Sequence, residues 1–375
     1  MQGLIIWAYS YCRSTLAFFI ELSKNFGVAP QIYVLNGFPS ARAKTGFSST
    51  EFSGYNISFL NGNEQYAINT LLANRGNYHI FASYQKNNLH RKLISVANEE
   101  GIRYGIASEA PCNMSPGVLK HIIKDVYLKW ILKHRVKNVV RSADFIINLS
   151  GYYQKELERI GWDNKKIISC GYFPPPIEGG TCVKRDINSW NNFTILLSGL
   201  HQWHRSPMLL IKALWLLQIC DVKFKCVITQ DGPLLDKMKK YVESHGIRNI
   251  DFLGFVPMEK LLELYKTCSV YVGAGNFEPW GMRLNDVLQC GAPLLVNRGM
   301  GGCKLVDDFG CGLCFDKGNY QELADKLQLM IQNKEEYLKF AENAFNAATQ
   351  ITPQIKAQQM AHAIQRVNPS WNIPE

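Results

Sequence analysis

The fold of this chain is indicated most strongly by residues 276–293, which read NFEPWGMRLNDVLQCGAP. Two carboxylates, Glu278 and Asp286, stand eight positions apart in this segment. A proline and a glycine follow the first carboxylate, and an apolar run then ends at another glycine and proline. Proline just inside the start of a helix, and glycine with proline just past its end, are typical of a short helix. The spacing therefore predicts a helix over residues 280–290.

The predicted helix would place both carboxylates on one face. Eight steps at about 3.6 residues per turn carry Asp286 two turns along nearly the same face as Glu278, which would lie at the N-terminal cap. The unpaired N–H groups and the positive dipole end at such a cap bind anions, above all phosphate. Flanking carboxylates can accept hydrogen bonds from sugar hydroxyls. The alternative is a helix with an acidic cap and one solvated aspartate, and the spacing alone does not decide between them.

The order Glu-Pro-aromatic-Gly-Met, followed by an aspartate and an apolar Cys-Gly-Ala-Pro, resembles the E-x7-E signature of family-4 glycosyltransferases. Those are retaining enzymes of the GT-B fold, so the resemblance implies an α/β chain with two Rossmann-like, doubly wound parallel-sheet domains facing a cleft. It implies a catalytic role for Glu278. The second acid binds the donor's ribose in the family, and here it is Asp286, one methylene shorter than the family's glutamate. The implied donor-binding residues of this segment are Pro279, Trp280, Gly281, Met282 and Asp286.

The composition favours a globular protein with an anionic partner. A chain of 375 residues with 47% hydrophobic and 19% charged residues is long enough for two domains. The net charge of +10 favours nucleic acid, a membrane surface or a phosphorylated substrate. The sequence has no zinc-finger spacing, RNP-like strand or convincing helix-turn-helix pattern, so nucleic acid is not a predicted partner. No apolar run approaches the roughly 18 residues of a bilayer span, and we expect no signal peptide.

The 11 cysteines are mostly scattered through apolar runs, which indicates reduced core thiols in a cytoplasmic protein. Only Cys311 and Cys314 have a metal-like spacing, with Cys303 nearby. A zinc site needs a second pair, and none is evident, so no metal site is predicted. We expect no cofactor beyond a nucleotide-sugar co-substrate.

The clearest break in composition is a run of prolines and glycines within residues 173–190, which favours an extended linker. Residues 1–172 are the predicted N-terminal, acceptor-binding domain. Residues 191–352 are the predicted C-terminal, nucleotide-sugar-binding domain. In the GT-B fold the C-terminal helix crosses back to the first domain, and we expect residues 353–375 to do so here.

The N-terminal domain opens with strand, helix and strand, the βαβ pattern of a parallel sheet. Binding residues of such sheets gather after the carboxyl ends of the strands, where Ser10 and Arg13 fall. They are the predicted acceptor-side residues, and a solvated loop arginine is the alternative for Arg13. Glu109 follows another strand, where the resembled family often has a histidine that touches the transferred sugar. Glu109 is therefore a candidate catalytic residue, and the ordering of its loop is the alternative.

Residues 117–141 carry seven basic residues against a single acid, Asp125. One apolar stripe lies in the first half of the segment and another in the second half, on opposite sides of an ideal helix. We therefore expect a kink or two short helices. A basic amphipathic helix with tryptophan can lie on an anionic membrane surface. A helix packed on its own domain with a solvated basic face is equally consistent with the pattern.

The C-terminal domain opens with a buried strand that ends at Gly199 and is followed by a turn containing Arg205. This order resembles the family's Gly-Arg-Leu…Lys-Gly loop, whose basic residues clamp the donor diphosphate. Arg205 falls at the lysine position, which implies a catalytic and donor-binding role, and Gly199 is likewise an implied donor-binding residue. Leu200 stands where the family has arginine and Ser206 where it has glycine.

One charge of the clamp is therefore missing, and His201 or His204 would have to replace it in part. A later strand and loop resemble the segment of the family whose backbone meets the nucleobase. The implied base-pocket residues are Phe255 and Val256.

The resemblance implies retaining, metal-independent transfer of a sugar from a UDP- or GDP-linked donor to a glycan or lipid-linked acceptor, as in bacterial polysaccharide, O-antigen or lipopolysaccharide assembly. Arg205, the helix N-terminus and Arg283 would stabilise the charge that grows on the leaving diphosphate. The absence of Asp-x-Asp, the metal-binding signature of the other large glycosyltransferase fold, favours metal-free catalysis. Such an enzyme would work in the cytoplasm, peripheral to the inner face of the cell membrane. The alternatives are a non-catalytic sugar-nucleotide-binding protein and a nucleotide-sugar epimerase, for which Glu109 is the plausible acid/base residue.

Overall fold

The computed structural model describes residues 2–27, 29–36, 55–84, 88–111, 113, 115 and 118–371. The chain divides into two compact units. The first consists of Met1–Asn113, Val118–Pro175 and Thr352–Glu375, and the second of Met114–Gly117 and Pro176–Ile351. This division leaves the last helix of the chain with the first unit. None of the helices among the described residues is long and apolar enough to span a bilayer.

The first unit is built on a parallel sheet with the order β3-β2-β1-β4-β5-β6-β7, seven strands in the part of the chain that the structure describes. The strands are β1 Leu4–Ser10, β2 Gln31–Asn36, β3 Ile57–Phe59, β4 Tyr78–Ala82, β5 Tyr104–Ser108, β6 Ile146–Asn148 and β7 Ile167–Ser169. The central strands are almost entirely buried, because helices cover both faces of a parallel sheet. Their near-continuous apolar sequences are the reason that they fold as buried strands.

The α-helices of the first unit, within the described residues, are Arg13–Lys24, Glu64–Ala73, Asn88–Glu99, Val118–Val126, Lys133–Ser142, Gln154–Arg159 and Pro353–Val367. The two short helices expected for residues 117–141 are present, and a π-helical segment, Tyr127–Leu132, joins them. A π segment adds a residue to the turn and so changes the direction in which later side chains point. The last helix packs on Arg13–Lys24, and behind it Trp371 donates from Nε1 to Asp144 Oδ2 at 2.6 Å.

The second unit is built on a parallel sheet with the order β10-β9-β8-β11-β12-β13, six strands among the described residues. The strands are β8 Thr194–Ser198, β9 Lys225–Thr229, β10 Ile250–Gly254, β11 Val270–Gly273, β12 Leu294–Asn297 and β13 Gly312–Phe315. The α-helices described in this unit are Ile187–Asn191, Met208–Ile219, Leu235–Ser244, Met258–Thr267, Arg283–Gln289, Cys303–Phe309, Tyr320–Gln332 and Lys334–Ala348. Short 3₁₀ turns occur at Trp203–Arg205 in this unit and at Asn164–Lys166 in the first.

Both sheets have the Rossmann order 3-2-1-4-5-6, counted from the first strand of each unit, with one more strand at the end of the first sheet. In each sheet the first and fourth strands are direct neighbours, and the winding reverses between them. This point in the second sheet lies between β8 and β11. It positions the candidate site described below.

Candidate functional site

The carboxyl ends of β8 and β11 lie side by side at the reversal of the second sheet. Ligands of open parallel α/β sheets bind outside the carboxyl ends of the strands at such a point. The chain after β8 contains Gly199 and Arg205, and the chain after β11 contains Glu278. The topology therefore brings together three residues that were selected from the sequence.

The position of Glu278 is fixed by backbone contacts with a second loop. Glu278 forms an isolated parallel bridge with Met300, in which Glu278 N–H donates to Gly299 O at 3.1 Å and Gly301 N–H donates to Glu278 O at 3.0 Å. Gly281 permits this close approach: its φ is +97°, and a Cβ there would lie 2.4 Å from Met300 Cε. The carboxylate therefore stands on a rigid pair of loops.

The predicted helix over residues 280–290 begins too early. The structure has a helix at Arg283–Gln289 with Met282 as its N-cap residue, and Glu278 lies in the loop before it. The prediction that Glu278 caps the helix and shares a helical face with Asp286 is therefore wrong. Glu278 O accepts from Gly301 N–H at 3.0 Å and Trp280 O accepts from Gly302 N–H at 2.9 Å, so these carbonyl groups are bonded to the second loop and do not begin a helix.

Arg205 and Glu278 form an ion pair with 3.4 Å between Nη2 and Oε1, and their side chains are 34% and 17% exposed. Arg205 Nε is buried and makes no hydrogen bond to any described residue. A buried donor without a partner costs about 1–3 kcal/mol, which indicates that water or a ligand completes this group. Arg205 Nη1 also approaches Gly199 closely, since a Cβ at that position would lie 3.0 Å from it.

Arg283 brings a second guanidinium to Gly199, where a Cβ would lie 3.6 Å from Arg283 Nε. Its Nη1 donates to Ser198 Oγ and to the Tyr265 hydroxyl, both at 3.1 Å. Ser198 Oγ is fixed in turn by the Thr229 hydroxyl, which donates to it at 2.9 Å. The two arginines concentrate positive charge at the end of β8. Ser198 and Tyr265 are not predicted from the sequence, because no local pattern shows that these hydroxyls meet the guanidinium.

His201 lies buried within the loop that follows β8. Its backbone N–H donates to Asp231 O at 2.9 Å, and its carbonyl accepts from Leu234 N–H at 3.0 Å. Its ring Nε2 makes no hydrogen bond to a described residue. Burial lowers the pKa of His201 below its ordinary value, and burial likewise lowers the pKa of His204. Burial therefore favours the neutral form of both rings, and a partial replacement of the family's charge at position 200 by either histidine stays a prediction.

The two departures from the family's loop have different structural consequences. Ser206 has a φ of +47°, in the left-handed region that favours glycine, and this explains the glycine that the family has there. Leu200 is 49% exposed, so a leucine at this position lies at the surface of the loop. The loop is tied to the Glu278 segment, since Asn276 N–H donates to His204 O at 3.0 Å.

The loop after β10 presents an exposed aromatic ring. Phe255 is 70% exposed, whereas Val256 is buried. Gly254 O accepts a hydrogen bond from Gln230 N–H, so this loop is connected to the turn after β9. An exposed aromatic ring can stack on a nucleobase. The assignment of Phe255 and Val256 to a base pocket stays a prediction.

Trp280 is an interior residue of the second unit. Its side chain is 2% exposed, and its Nε1 donates to Asn285 Oδ1 at 2.7 Å. Any donor contact of this residue therefore has to come from its backbone, while the indole supports the loop. Pro279, Met282 and Asp286 are half-buried, and their predicted donor contacts stay predictions.

The predicted acceptor-side residues and Glu109 belong to the first unit. Ser10 is the last residue of β1, and Arg13 begins the following helix and donates from Nη2 to Pro175 O at 2.8 Å. Glu109 directly follows β5 and accepts a hydrogen bond from the Tyr172 hydroxyl at 2.9 Å. Arg13 is thus not a freely solvated arginine. The roles predicted for these three residues stay predictions.

The metal-like spacing of Cys311 and Cys314 does not form a pair of ligands. Cys311 Sγ lies 3.5 Å from a backbone carbonyl oxygen, whereas Cys314 lies with Cys303 and Asp307, whose ligand atoms are all within 4.8 Å of one another. A hydrogen bond with Cys303 and burial raise the pKa of the Cys314 thiol, and Asp307 also pairs with Arg298 at 3.3 Å. The expectation that this region holds no metal stays a prediction.

Comparison with known proteins finds similarity to a described family over part of this chain. Residues 184–347 match the model of the family described as Glycosyl transferases group 1. An uncharacterized glycosyltransferase of Methanocaldococcus jannaschii is 27% identical over 218 residues, which is 58% of this chain and 56% of that protein. The chain therefore spans about half the length of the curated relatives that it matches.

The fold of nearly the whole chain is shared with solved structures. The Anabaena protein HepE in complex with UDP has a TM-score of 0.67 at 16% identity, over 96% of this chain and 99% of that chain. The lipopolysaccharide outer core galactosyltransferase WaaB has a TM-score of 0.64 at 13% identity, over 97% of this chain and 99% of that chain. The prediction of an α/β chain with two Rossmann-like parallel-sheet units of the GT-B type is confirmed.

Proposed function

We propose that this protein is a retaining glycosyltransferase, which transfers a sugar from a nucleoside-diphosphate sugar to a glycan or lipid-linked acceptor. The observation that carries the proposal is the convergence of Arg205, Arg283 and Glu278 where the second sheet reverses its winding. The family match over residues 184–347 covers all three residues and supports the proposal.

The two arginines would stabilise the departing nucleoside diphosphate. The negative charge on a nucleoside diphosphate grows as the bond to the sugar breaks, and preorganised cations at that position lower the barrier. The Arg205 guanidinium has a buried Nε–H group to which no described residue offers an acceptor. Arg283 is oriented by two hydroxyl groups before any ligand binds. These guanidiniums would supply the positive charge that a divalent cation supplies in metal-dependent enzymes, and we therefore propose metal-independent transfer.

Glu278 is the group that we assign to the sugar. Its carboxylate pairs with Arg205, and the sugar of the donor is bonded directly to the diphosphate that this arginine would bind. A carboxylate there accepts hydrogen bonds from sugar hydroxyls and stabilises an oxocarbenium-like centre by its negative charge. The acceptor proton would pass to an oxygen of the departing phosphate, so no additional base is required. Reaction on one face of the sugar retains the anomeric configuration.

The remaining parts of the donor are assigned to residues around this centre. Phe255, whose ring is 70% exposed, would stack on the base, and Asp286 would bind the ribose. The Anabaena protein of similar fold has been solved with UDP and with UDP-glucose. We propose a UDP- or GDP-linked donor, and a bacterial surface polysaccharide or lipopolysaccharide as the product to which the sugar is added.

A panel of sugar nucleotides tested by thermal shift examines the donor site directly. A true donor at about 100 times its dissociation constant should stabilise the folded state by about 2.7 kcal/mol. Release of nucleoside diphosphate that requires an acceptor would then establish transfer, and NMR of the product would report the anomeric configuration. A donor that is epimerised without release of diphosphate would identify an epimerase, and binding without turnover would identify a non-catalytic binding protein. If no sugar nucleotide shifts the melting temperature, the donor site is wrongly assigned.

A further inference from the structure

The segment from Val118–Val126 through Lys133–Ser142 carries two apolar stripes, and its own domain covers only one of them. Leu128, Leu132 and Val136 recur every four residues and are buried in the core of the first unit. They fix which side of the segment faces the sheet. Residues on the opposite side therefore have no place in that core.

The other stripe, which begins in the first half of the segment, lies on this opposite side and is exposed. Its residues are all large and apolar: Leu119 is 72% exposed, Ile122 54%, Ile123 61%, Val126 50% and Trp130 74%. Isolated apolar residues are common on protein surfaces, but five on a single helical face form a continuous patch. The stripe is exposed and lies outside the core of the first unit, which points to a role at an interface.

Basic side chains border this stripe. Lys120, Lys129 and Lys133 are exposed, and further basic residues follow in the same segment. The single acid of residues 117–141, Asp125, is already paired with Lys129 at 2.7 Å and with Arg159 at 3.2 Å. Asp125 thus compensates Lys129, and the positive charge of the border comes from the other basic residues of the segment.

We propose that this stripe, Leu119, Ile122, Ile123, Val126 and Trp130, is a docking surface for an anionic lipid bilayer. Its apolar side chains would enter the boundary between headgroups and acyl chains, and lysines at the border would reach lipid phosphates with their long side chains. Each basic residue near an anionic membrane adds attraction that salt weakens. A second copy of the chain fits this surface poorly, because a symmetric contact would bring the two lysine borders together. The proposal does not depend on the assignment of the donor site.

Sedimentation of the full chain with lipid vesicles tests this proposal. Vesicles of phosphatidylcholine mixed with phosphatidylglycerol should bind the protein at low salt, vesicles of phosphatidylcholine alone should bind it weakly, and high salt should release it. Lys120→Glu together with Lys133→Glu should reduce binding to the anionic vesicles by about tenfold or more. Lys237→Glu with Lys240→Glu changes the net charge equally on an exposed helix of the second unit, and should reduce binding much less.

The apolar stripe is tested separately from the charge. Ile123→Glu and Trp130→Glu should each abolish vesicle binding, whereas Ile219→Glu should preserve it, because Ile219 is also 61% exposed but lies in the second unit. Circular dichroism and melting temperature confirm that each variant is folded. Binding that is equal for Ile123→Glu and Ile219→Glu would overturn the proposal. So would a dimer in solution that Trp130→Glu dissociates while the wild-type chain ignores anionic vesicles, since the stripe would then be a contact between copies.

Discussion

Arg205 and Glu278 lie 73 residues apart in sequence, yet Arg205 Nη2 lies 3.4 Å from Glu278 Oε1. Each side chain follows one of the two strands between which the second sheet reverses. The pair is partly exposed, so it contributes little to stability, typically about 0–1 kcal/mol. Its position at the carboxyl ends of β8 and β11 points to ligand binding as the reason for the pair.

Glu278→Gln should reduce sugar transfer by about 100-fold or more, because the amide keeps the shape but loses the negative charge that stabilises the developing cation. The dissociation constant for the donor should change much less, since the arginines and the base pocket remain. Turnover with donor and acceptor, together with thermal shift by the donor, measures both quantities. The matched control is Glu259→Gln, an exposed residue of the helix Met258–Thr267, which should keep full turnover. Equal turnover in the two variants would remove Glu278 from the proposed mechanism.

Arg205→Ala and Arg283→Ala should each weaken binding of the nucleoside diphosphate by about 10- to 100-fold, because a hydrogen bond to a charged group contributes about 1.5–3 kcal/mol. Arg205→Lys should recover part of the loss, since it keeps the charge without the planar fork. Isothermal titration with UDP and GDP measures the affinities. Arg248→Ala removes an exposed guanidinium elsewhere in the same unit and should leave them unchanged. If Arg205→Ala and Arg283→Ala bind UDP and GDP as tightly as Arg248→Ala and the wild-type protein do, the diphosphate binds elsewhere.

Gly281→Ala should lower the free energy of unfolding by about 3 kcal/mol or more, from backbone strain together with overpacking. The φ of Gly281 is +97°, and the new Cβ would meet Met300 Cε at 2.4 Å. Gly246→Ala is the control, because Gly246 has a φ of +58° and no atom within 4 Å of an added Cβ. That variant should cost about 1–2 kcal/mol, from backbone strain alone.

Urea denaturation measures both glycine variants, and a double-mutant cycle isolates the contact with Met300. In Gly281→Ala combined with Met300→Ala, the two changes should destabilise by less than the sum of the single variants, because the overlap is relieved. Strict additivity would show that the two loops are not pressed together at this point.

The sequence identified two residues that meet in the structure, but not the geometry of the loops that hold them. Glu278 and Arg205 were predicted because their segments resemble two motifs of a known family, and the structure brings the two side chains together. The start of the helix was misplaced, because the bridge between Glu278 and Met300 joins segments that are distant in sequence. Trp280 was assigned to the donor from its place beside Glu278, and its burial depends on tertiary packing that a local pattern does not contain.

The basic segment shows the same limit in the first unit. Its two apolar stripes were read correctly as lying on opposite sides of a helix. The pattern alone does not show which stripe the core covers, since both consist of large apolar residues. The structure buries Leu128, Leu132 and Val136 and leaves Trp130 exposed. The sheet on which the segment packs is formed by strands distant in sequence, so the local pattern does not contain this information.

Acid should destabilise the first unit through two buried histidines. Trp7 Nε1 can only donate, so His79 Nδ1 accepts its hydrogen bond at 3.1 Å, and His79 Nε2–H donates to Asn74 O at 3.1 Å. This neutral form has no site for another proton. His90 is also buried and contacts Trp7 O through Nε2 at 3.0 Å. Burial lowers the pKa of His79 and of His90 to about 4 each.

The pKa of histidine in the unfolded chain is about 6.5, so between pH 6.5 and about 4 the unfolded state binds protons that the folded state does not. The free energy of unfolding should therefore decrease as the pH is lowered through this window, by about 2 kcal/mol per histidine between pH 7.5 and pH 5. Urea denaturation at these two pH values measures the loss. His79→Asn, which can still accept from Trp7, should reduce the loss by about 2 kcal/mol even though it is less stable at pH 7.5. His362→Gln, at an exposed position, should leave the loss unchanged. If His79→Asn and His90→Gln both show the full wild-type loss, the two histidines are not the source of the acid sensitivity.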